Sequence, residues 1–110
     1  MKSLVQGLLL AATASLAQAQ TLPPGYPADY AKLIEAAKKD GVVTVYSTTD
    51  GKAAAPLIKD FEALYGIKIE YNDLNSTELY NRIIAESAAG TGTGDVSWSS
   101  APDLQVKLAA

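Results

Sequence analysis

Val42-Val43-Thr44-Val45-Tyr46-Ser47-Thr48-Thr49-Asp50-Gly51 is the stretch on which the fold turns. Its first six residues are a nearly unbroken apolar, β-branched run, as expected of a parallel strand buried on both faces. The polar end comes abruptly, with three hydroxyl side chains and a carboxylate where a strand gives way to a helix N-terminus. Upstream, Tyr30, Leu33, Ile34 and Ala37 recur at i, i+3, i+4 and i+7, Lys38 and Lys39 suit a helix C-terminus, and Gly41 is a stop. Pro27 fits the first turn of that helix, after the Pro/Gly-rich lead-in Leu22 to Tyr26.

Downstream, Leu57, Ile58, Phe61, Leu64 and Tyr65 form a second helical stripe, closed by Gly66. Pro56 is acceptable there if the helix starts near Lys52 or Ala53, with the proline in its first turn. Ile67-Lys68-Ile69-Glu70-Tyr71 alternates with period two, as an edge strand or a strand with one exposed face does. Asn75 or Ser76 caps a third helix, with Glu78 placed for a capping box and Leu79, Tyr80, Ile83 and Ile84 facing inward. After Gly90-Thr91-Gly92-Thr93-Gly94 come a short strand, Asp95 to Ser99, and a last helix from Pro102 carrying Leu104 and Leu108. The order is helix, then βαβαβα, which predicts an α/β fold with a doubly wound parallel sheet.

The 110 residues are 48% hydrophobic and 19% charged, the composition of one ordinary globular domain. Nine Lys+Arg stand against twelve Asp+Glu, for a net charge of −3, and no basic stripe is present to engage nucleic acid. With neither cysteine nor histidine, the chain lacks thiolate nucleophiles, disulfides, Cys/His zinc sites and Ser/His or Cys/His catalytic pairs. A serine hydrolase built on Ser47 or Ser99 would have no visible general base, and Gly-x-Ser-x-Gly is absent. We therefore expect no enzyme activity and no cofactor or metal.

Residues 1–19 read as a secretory signal peptide: Lys2 is followed by the apolar run around Leu8-Leu9-Leu10-Ala11-Ala12, and Ala17-Gln18-Ala19 supplies small residues at −3 and −1. The apolar stretch is shorter than the roughly 20 residues that span a bilayer. A periplasmic location follows, with a mature chain of residues 20–110.

In an open parallel sheet, ligands bind beyond the carboxyl ends of the strands, where the strand order reverses. With the first strand central in the order 2-1-3, the loops Ser47-Thr48-Thr49-Asp50 and Ser99-Ser100 meet there. These six residues are the candidate ligand site. Hydroxyls and helix N-termini suit an oxyanion, whereas Asp50 opposes one unless it caps its own helix. Simple capping by Ser, Thr and Asp is an equally good account of the same residues. The Gly/Thr loop lacks the Gly-Lys-Ser/Thr ending of a phosphate-binding loop and reads as a plain connection. Trp98 reads as core, with stacking on a ligand the lesser alternative. Asp50, Asp95 and Asp103 have neither the spacing nor the partners of a metal or acid/base site.

Taken in order, several segments resemble the type II periplasmic substrate-binding proteins of ABC importers, in the group of ferric-iron and sugar-phosphate binders. They are Tyr30 to Gly41, Val42 to Asp50, Pro56 to Tyr65, Asn75-Ser76-Thr77-Glu78-Leu79, and Asp95-Val96-Ser97-Trp98-Ser99-Ser100. The resemblance implies a two-lobed protein that closes on a small-molecule solute and delivers it to a membrane permease. It also implies that the two hydroxyl-bearing loops form the first lobe's side of the cleft. Such proteins are about three times this length, so residues 20–110 correspond to the N-terminal part of the first lobe, without hinge or second lobe. The absence of histidine departs from many ferric-iron binders, and Tyr65 meets Gly66 where Tyr-Pro-Gly is common. An alternative reading is a stand-alone secreted α/β interaction module that pairs through the exposed edge of its third strand.

The signal-peptide reading predicts cleavage between Ala19 and Gln20. N-terminal sequencing of periplasmic material should begin at Gln20; cytoplasmic material beginning at Met1 would refute it.

Overall fold

A computed structural model describes residues 22–110. The export segment read at residues 1–19 lies outside the described residues. The elements are α1 (Tyr30–Asp40), β1 (Val42–Ser47), α2 (Gly51–Tyr65), β2 (Lys68–Asp73), α3 (Ser76–Ala89), β3 (Val96–Trp98) and α4 (Pro102–Ala109). Strands and helices alternate as the sequence predicts. The three strands form one parallel sheet in the order β2-β1-β3.

The apolar run at Val42 holds the centre because it alone carries side chains able to be buried on both faces. Val45 and Tyr46, adjacent in sequence and therefore on opposite faces, are 8% and 1% exposed. The register sets Val45 beside Tyr71 and Val96, and Ser47 beside Asp73 and Trp98. Val43 and Val45 line one cavity with Leu57, Ile58 and Phe61 of α2. On the opposite face, Tyr46 lines a trough with Ile83 of α3 and Leu108 of α4. Helices thus flank both faces of the sheet. Ile34, Ala54, Ile67 and Leu79 complete the buried apolar set.

The helix ends follow local chemistry. Asn75 and Glu78 form the expected capping box, with Glu78 N–H donating to Asn75 Oδ1 at 2.9 Å and Asn75 N–H to Glu78 Oε2 at 3.0 Å. Gly41 ends α1 in the left-handed region at φ 78°, and its N–H closes onto the Ala37 carbonyl at 3.0 Å. That turn feeds the chain directly into β1.

Several expectations need correction. α2 begins at Gly51 rather than near Lys52 or Ala53, so Pro56 stands beyond the first turn, inside the helix. It removes the N–H that would bond to the Lys52 carbonyl, and both residues are exposed, where water can solvate the orphaned oxygen. β2 runs to Asp73, two residues past the expected end, because parallel pairing with β1 continues through Ser47↔Asp73. Trp98, read as core from its residue type, is 39% exposed, and Leu57, Leu64 and Ile84, whose spacing marks an inner face, are 61%, 60% and 46% exposed. Amphipathic spacing gives the direction of an apolar face and leaves its covering to tertiary contacts.

The Gly/Thr loop is also less permissive than its composition predicts. A Cβ on Gly94 would lie 2.6 Å from Tyr46 Cε2 and 3.0 Å from Cδ2, inside van der Waals contact with a ring that is itself buried. Gly94 is thus a site of close approach between backbone and aromatic face. Gly94→Ala should destabilise the chain by about 1–3 kcal/mol, the cost of overpacking a filled site. Gly92→Ala, with open space around its Cβ position, should lack that clash. Urea unfolding of the two variants checks the contrast.

Candidate functional site

The central position of β1 brings its carboxyl end against that of β3. Thr48 N–H donates to the Trp98 carbonyl at 3.0 Å, and Ser100 N–H donates to Thr48 Oγ1 at 3.2 Å. The Thr48 and Ser100 hydroxyls approach to 3.4 Å. The two loops therefore meet across the point where the strand order reverses, with Ser100 exposed and Thr48 half-buried.

The six candidate residues divide by what their side chains do. Ser47 is completely buried, and its Oγ accepts from Thr49 N–H at 3.0 Å, which holds the turn after β1. Asp50 caps α2, its Oδ1 accepting from Lys52 N–H at 2.8 Å and Ala53 N–H at 3.3 Å. Ser99 Oγ accepts from Ala101 N–H at 3.1 Å and supports the turn into α4. Thr48 and Thr49 are half-buried and Ser100 is exposed, at the carboxyl ends of β1 and β3. Asp95 Oδ2 accepts from Thr44 N–H at 2.8 Å, so this carboxylate pins the start of β3 to β1.

Two neighbours were not singled out in the sequence. Asp73 Oδ2 accepts from Gly51 N–H at 2.8 Å, and the Tyr71 hydroxyl donates to the Thr49 carbonyl at 2.5 Å. Both come from β2, and only the register brings them to the β1–α2 turn. Their consequence is electrostatic. The leading N–H groups of α2, those of Gly51, Lys52 and Ala53, are matched by carboxylates of the chain itself. α4 opens with Pro102, which has no N–H, and carries Asp103 in its first turn. The two loops therefore present hydroxyls, with the carboxylates of Asp50, Asp73 and Asp103 close by.

Behind the cleft, on the opposite face of the sheet, the Tyr46 hydroxyl donates to Glu86, 3.0 Å from Oε1 and 2.9 Å from Oε2, and lies 3.1 Å from Thr93 Oγ1. Arg82 closes the cluster. Its Nε donates to Glu86 Oε1 at 3.0 Å, its guanidinium carbon lies 4.4 Å from the Tyr46 ring centroid, and its NH1 donates to Asn72 Oδ1 at 3.2 Å. β1, β2, α3 and the Gly/Thr loop are tied together at this point. The i,i+4 spacing of Arg82 and Glu86 was visible in the sequence, but their attachment to Tyr46 was not.

Among the described residues, no group of three or more His, Cys, Asp or Glu side chains could hold a metal ion. Nor is any described helix long and apolar enough to cross a membrane. No protein-family model matches the chain, and no curated protein is significantly similar to it.

The Arg82 guanidinium, followed by the Tyr46 hydroxyl, holds the Glu86 carboxyl below its ordinary value of 4.5. A carboxylate depressed in the folded state contributes stability above its unfolded pKa and loses it as pH falls through the folded value. Urea midpoints of wild type and Glu86→Gln should accordingly differ at about pH 6 and converge towards about pH 3. An equal gap at both pH values would show that Glu86 acts through packing alone.

Proposed function

We propose that this chain is an extracytoplasmic solute-binding module, the first-lobe portion of a substrate-binding protein that presents a small polar solute to the permease of an ABC importer. The observation that supports this reading best is the meeting of the Thr48 and Ser100 hydroxyls, 3.4 Å apart, at the carboxyl end of the sheet. In a parallel sheet of order β2-β1-β3 this is the crevice where ligands bind. The export segment read at residues 1–19 accords with a periplasmic role. The chain itself supplies binding groups rather than catalysis.

Within this proposal the six residues have unequal parts. Thr48, Thr49 and Ser100 contact the solute through hydroxyls and main chain. Ser47, Asp50 and Ser99 hold the two turns that present them, through the internal bonds already described. A polar solute replaces water at the rim, and each neutral hydrogen bond adds about 0.5–1.5 kcal/mol net.

Calorimetric titration of the purified chain with sugars, sugar phosphates, carboxylates and amines tests the proposal. Binding of one class is expected, weakened about 2- to 13-fold in Thr48→Ala and Ser100→Ala, the affinity equivalent of one lost neutral hydrogen bond. Ser47→Ala should instead lower stability, because its hydroxyl is buried and bonded within the turn. Binding indifferent to both rim substitutions would overturn the assignment.

A further inference from the structure

The connection from α3 to β3, Gly90-Thr91-Gly92-Thr93-Gly94, is exposed along its length and belongs to no helix or strand. Its ends are fastened through the main chain. Gly90 N–H donates to the Ser87 carbonyl at 3.2 Å and Thr91 N–H to the Glu86 carbonyl at 2.9 Å, closing α3. Asp95 N–H donates to the Thr44 carbonyl at 2.9 Å, and Thr44 N–H donates to Asp95 Oδ2 at 2.8 Å, setting the start of β3 against β1. The middle is held through Tyr46. Gly94 lies against its ring, and Thr93 Oγ1 lies 3.1 Å from its hydroxyl. That hydroxyl has one hydrogen, which goes to Glu86, so the Thr93 hydroxyl is the donor in the contact with Tyr46. Open space surrounds the position a Cβ would take on Gly92.

We propose that residues 90–95 form a strap that opens by itself, ahead of unfolding of the rest of the chain, with the Thr93 hydroxyl as its clasp and the Tyr46–Glu86 pair as the fixed catch. Release breaks a neutral hydrogen bond but leaves no buried donor unpaired, because Tyr46 keeps its bond to Glu86 and Glu86 keeps Arg82. Gly90, Gly92 and Gly94 regain more backbone freedom than other residue types would, which favours the open state. Exposed hydrogen bonds such as those at Asp95 are the kind that open locally, whereas β2 pairs with β1 along the whole of Val42–Ser47. β3 pairs with β1 only from Val45↔Val96 to Ser47↔Trp98. An open strap therefore loosens the start of β3 and, through it, the approach of Ser100 to Thr48. This last consequence rests on the solute-binding reading, on which a solute bridging Thr48 and Ser100 favours the fastened strap.

Amide hydrogen exchange of the purified chain, followed by NMR at low urea concentrations, separates a local opening from global unfolding. Asp95 and Thr44 N–H should exchange together, with a shallow urea dependence. Leu74 N–H, which donates to the Ser47 carbonyl at 2.8 Å, should exchange more slowly and with a steep one. Thr93→Val removes the clasp at an exposed position while keeping the shape of the side chain, and should speed exchange at Asp95 and Thr44 about 2- to 13-fold. Ile67→Val shortens a buried side chain that packs with α1 and α2, away from the strap. It should speed exchange at Leu74 by a similar factor and leave Asp95 and Thr44 unchanged. No solute enters these measurements, so their failure is distinct from failure of the cleft assignment. Equal urea dependence at Asp95, Thr44 and Leu74 in the wild type would overturn the proposal. So would exchange at Asp95 and Thr44 that is indifferent to Thr93→Val or that follows Ile67→Val as Leu74 does.

Discussion

Hydrogen bonding of β1 along both of its edges is the constraint on which the other elements depend. β1 is paired with β2 on one side and β3 on the other, helices lie over both of its faces, and Val45 and Tyr46 are buried on opposite sides. Its polar groups are then satisfied locally. Ser47, wholly buried, turns its hydroxyl onto the Thr49 N–H, while its carbonyl accepts from Leu74 N–H at 2.8 Å. The end of β1 is thereby fixed before any loop or ligand is considered, and both turns at the cleft inherit their positions from it.

The same strand accounts for the connection between the two faces. Tyr46 carries a ring that packs under Gly94 and Arg82 and a hydroxyl that reaches Glu86 and Thr93. A buried tyrosine needs a partner for its hydroxyl, and a carboxylate held by a guanidinium is a strong one. This arrangement orders a loop whose five residues, Gly and Thr alone, have little intrinsic preference for one conformation. β3 follows that loop directly, so the back-face cluster helps to determine where Ser99 and Ser100 arrive.

Charge at the cleft follows from helix capping. Asp50 and Asp73 stabilise the start of α2 by matching its free N–H groups, and in doing so they occupy donors that an oxyanion would otherwise use. Capping, which a bare sequence sets beside ligand binding as a rival account of the same residues, accounts in the folded protein for Ser47, Asp50 and Ser99. The inner ring of Ser47, Asp50 and Ser99 supports the turns, and Thr48 and Ser100 stand at the rim.

The alternation of strands and helices, the α/β class and the capping box at Asn75 were legible in the sequence, because each rests on interactions within a few residues or on a strong local period, whereas the central place of β1 entered only as a condition. The sequence also marked the two loops that meet at the cleft, given the strand order. Tertiary structure alone decided that Asp73 and Tyr71 reach the β1–α2 turn, that Tyr46 binds Glu86, and that Gly94 lies against an aromatic face. Each joins residues 22 to 48 positions apart, through a register and a helix placement that no local pattern encodes. Trp98, Leu57 and Ile84 make the same point from the apolar side. Helical spacing showed which way Leu57 and Ile84 face and residue type marked Trp98 as core, but exposure depends on what packs against them, and that is a property of the assembled sheet and helices.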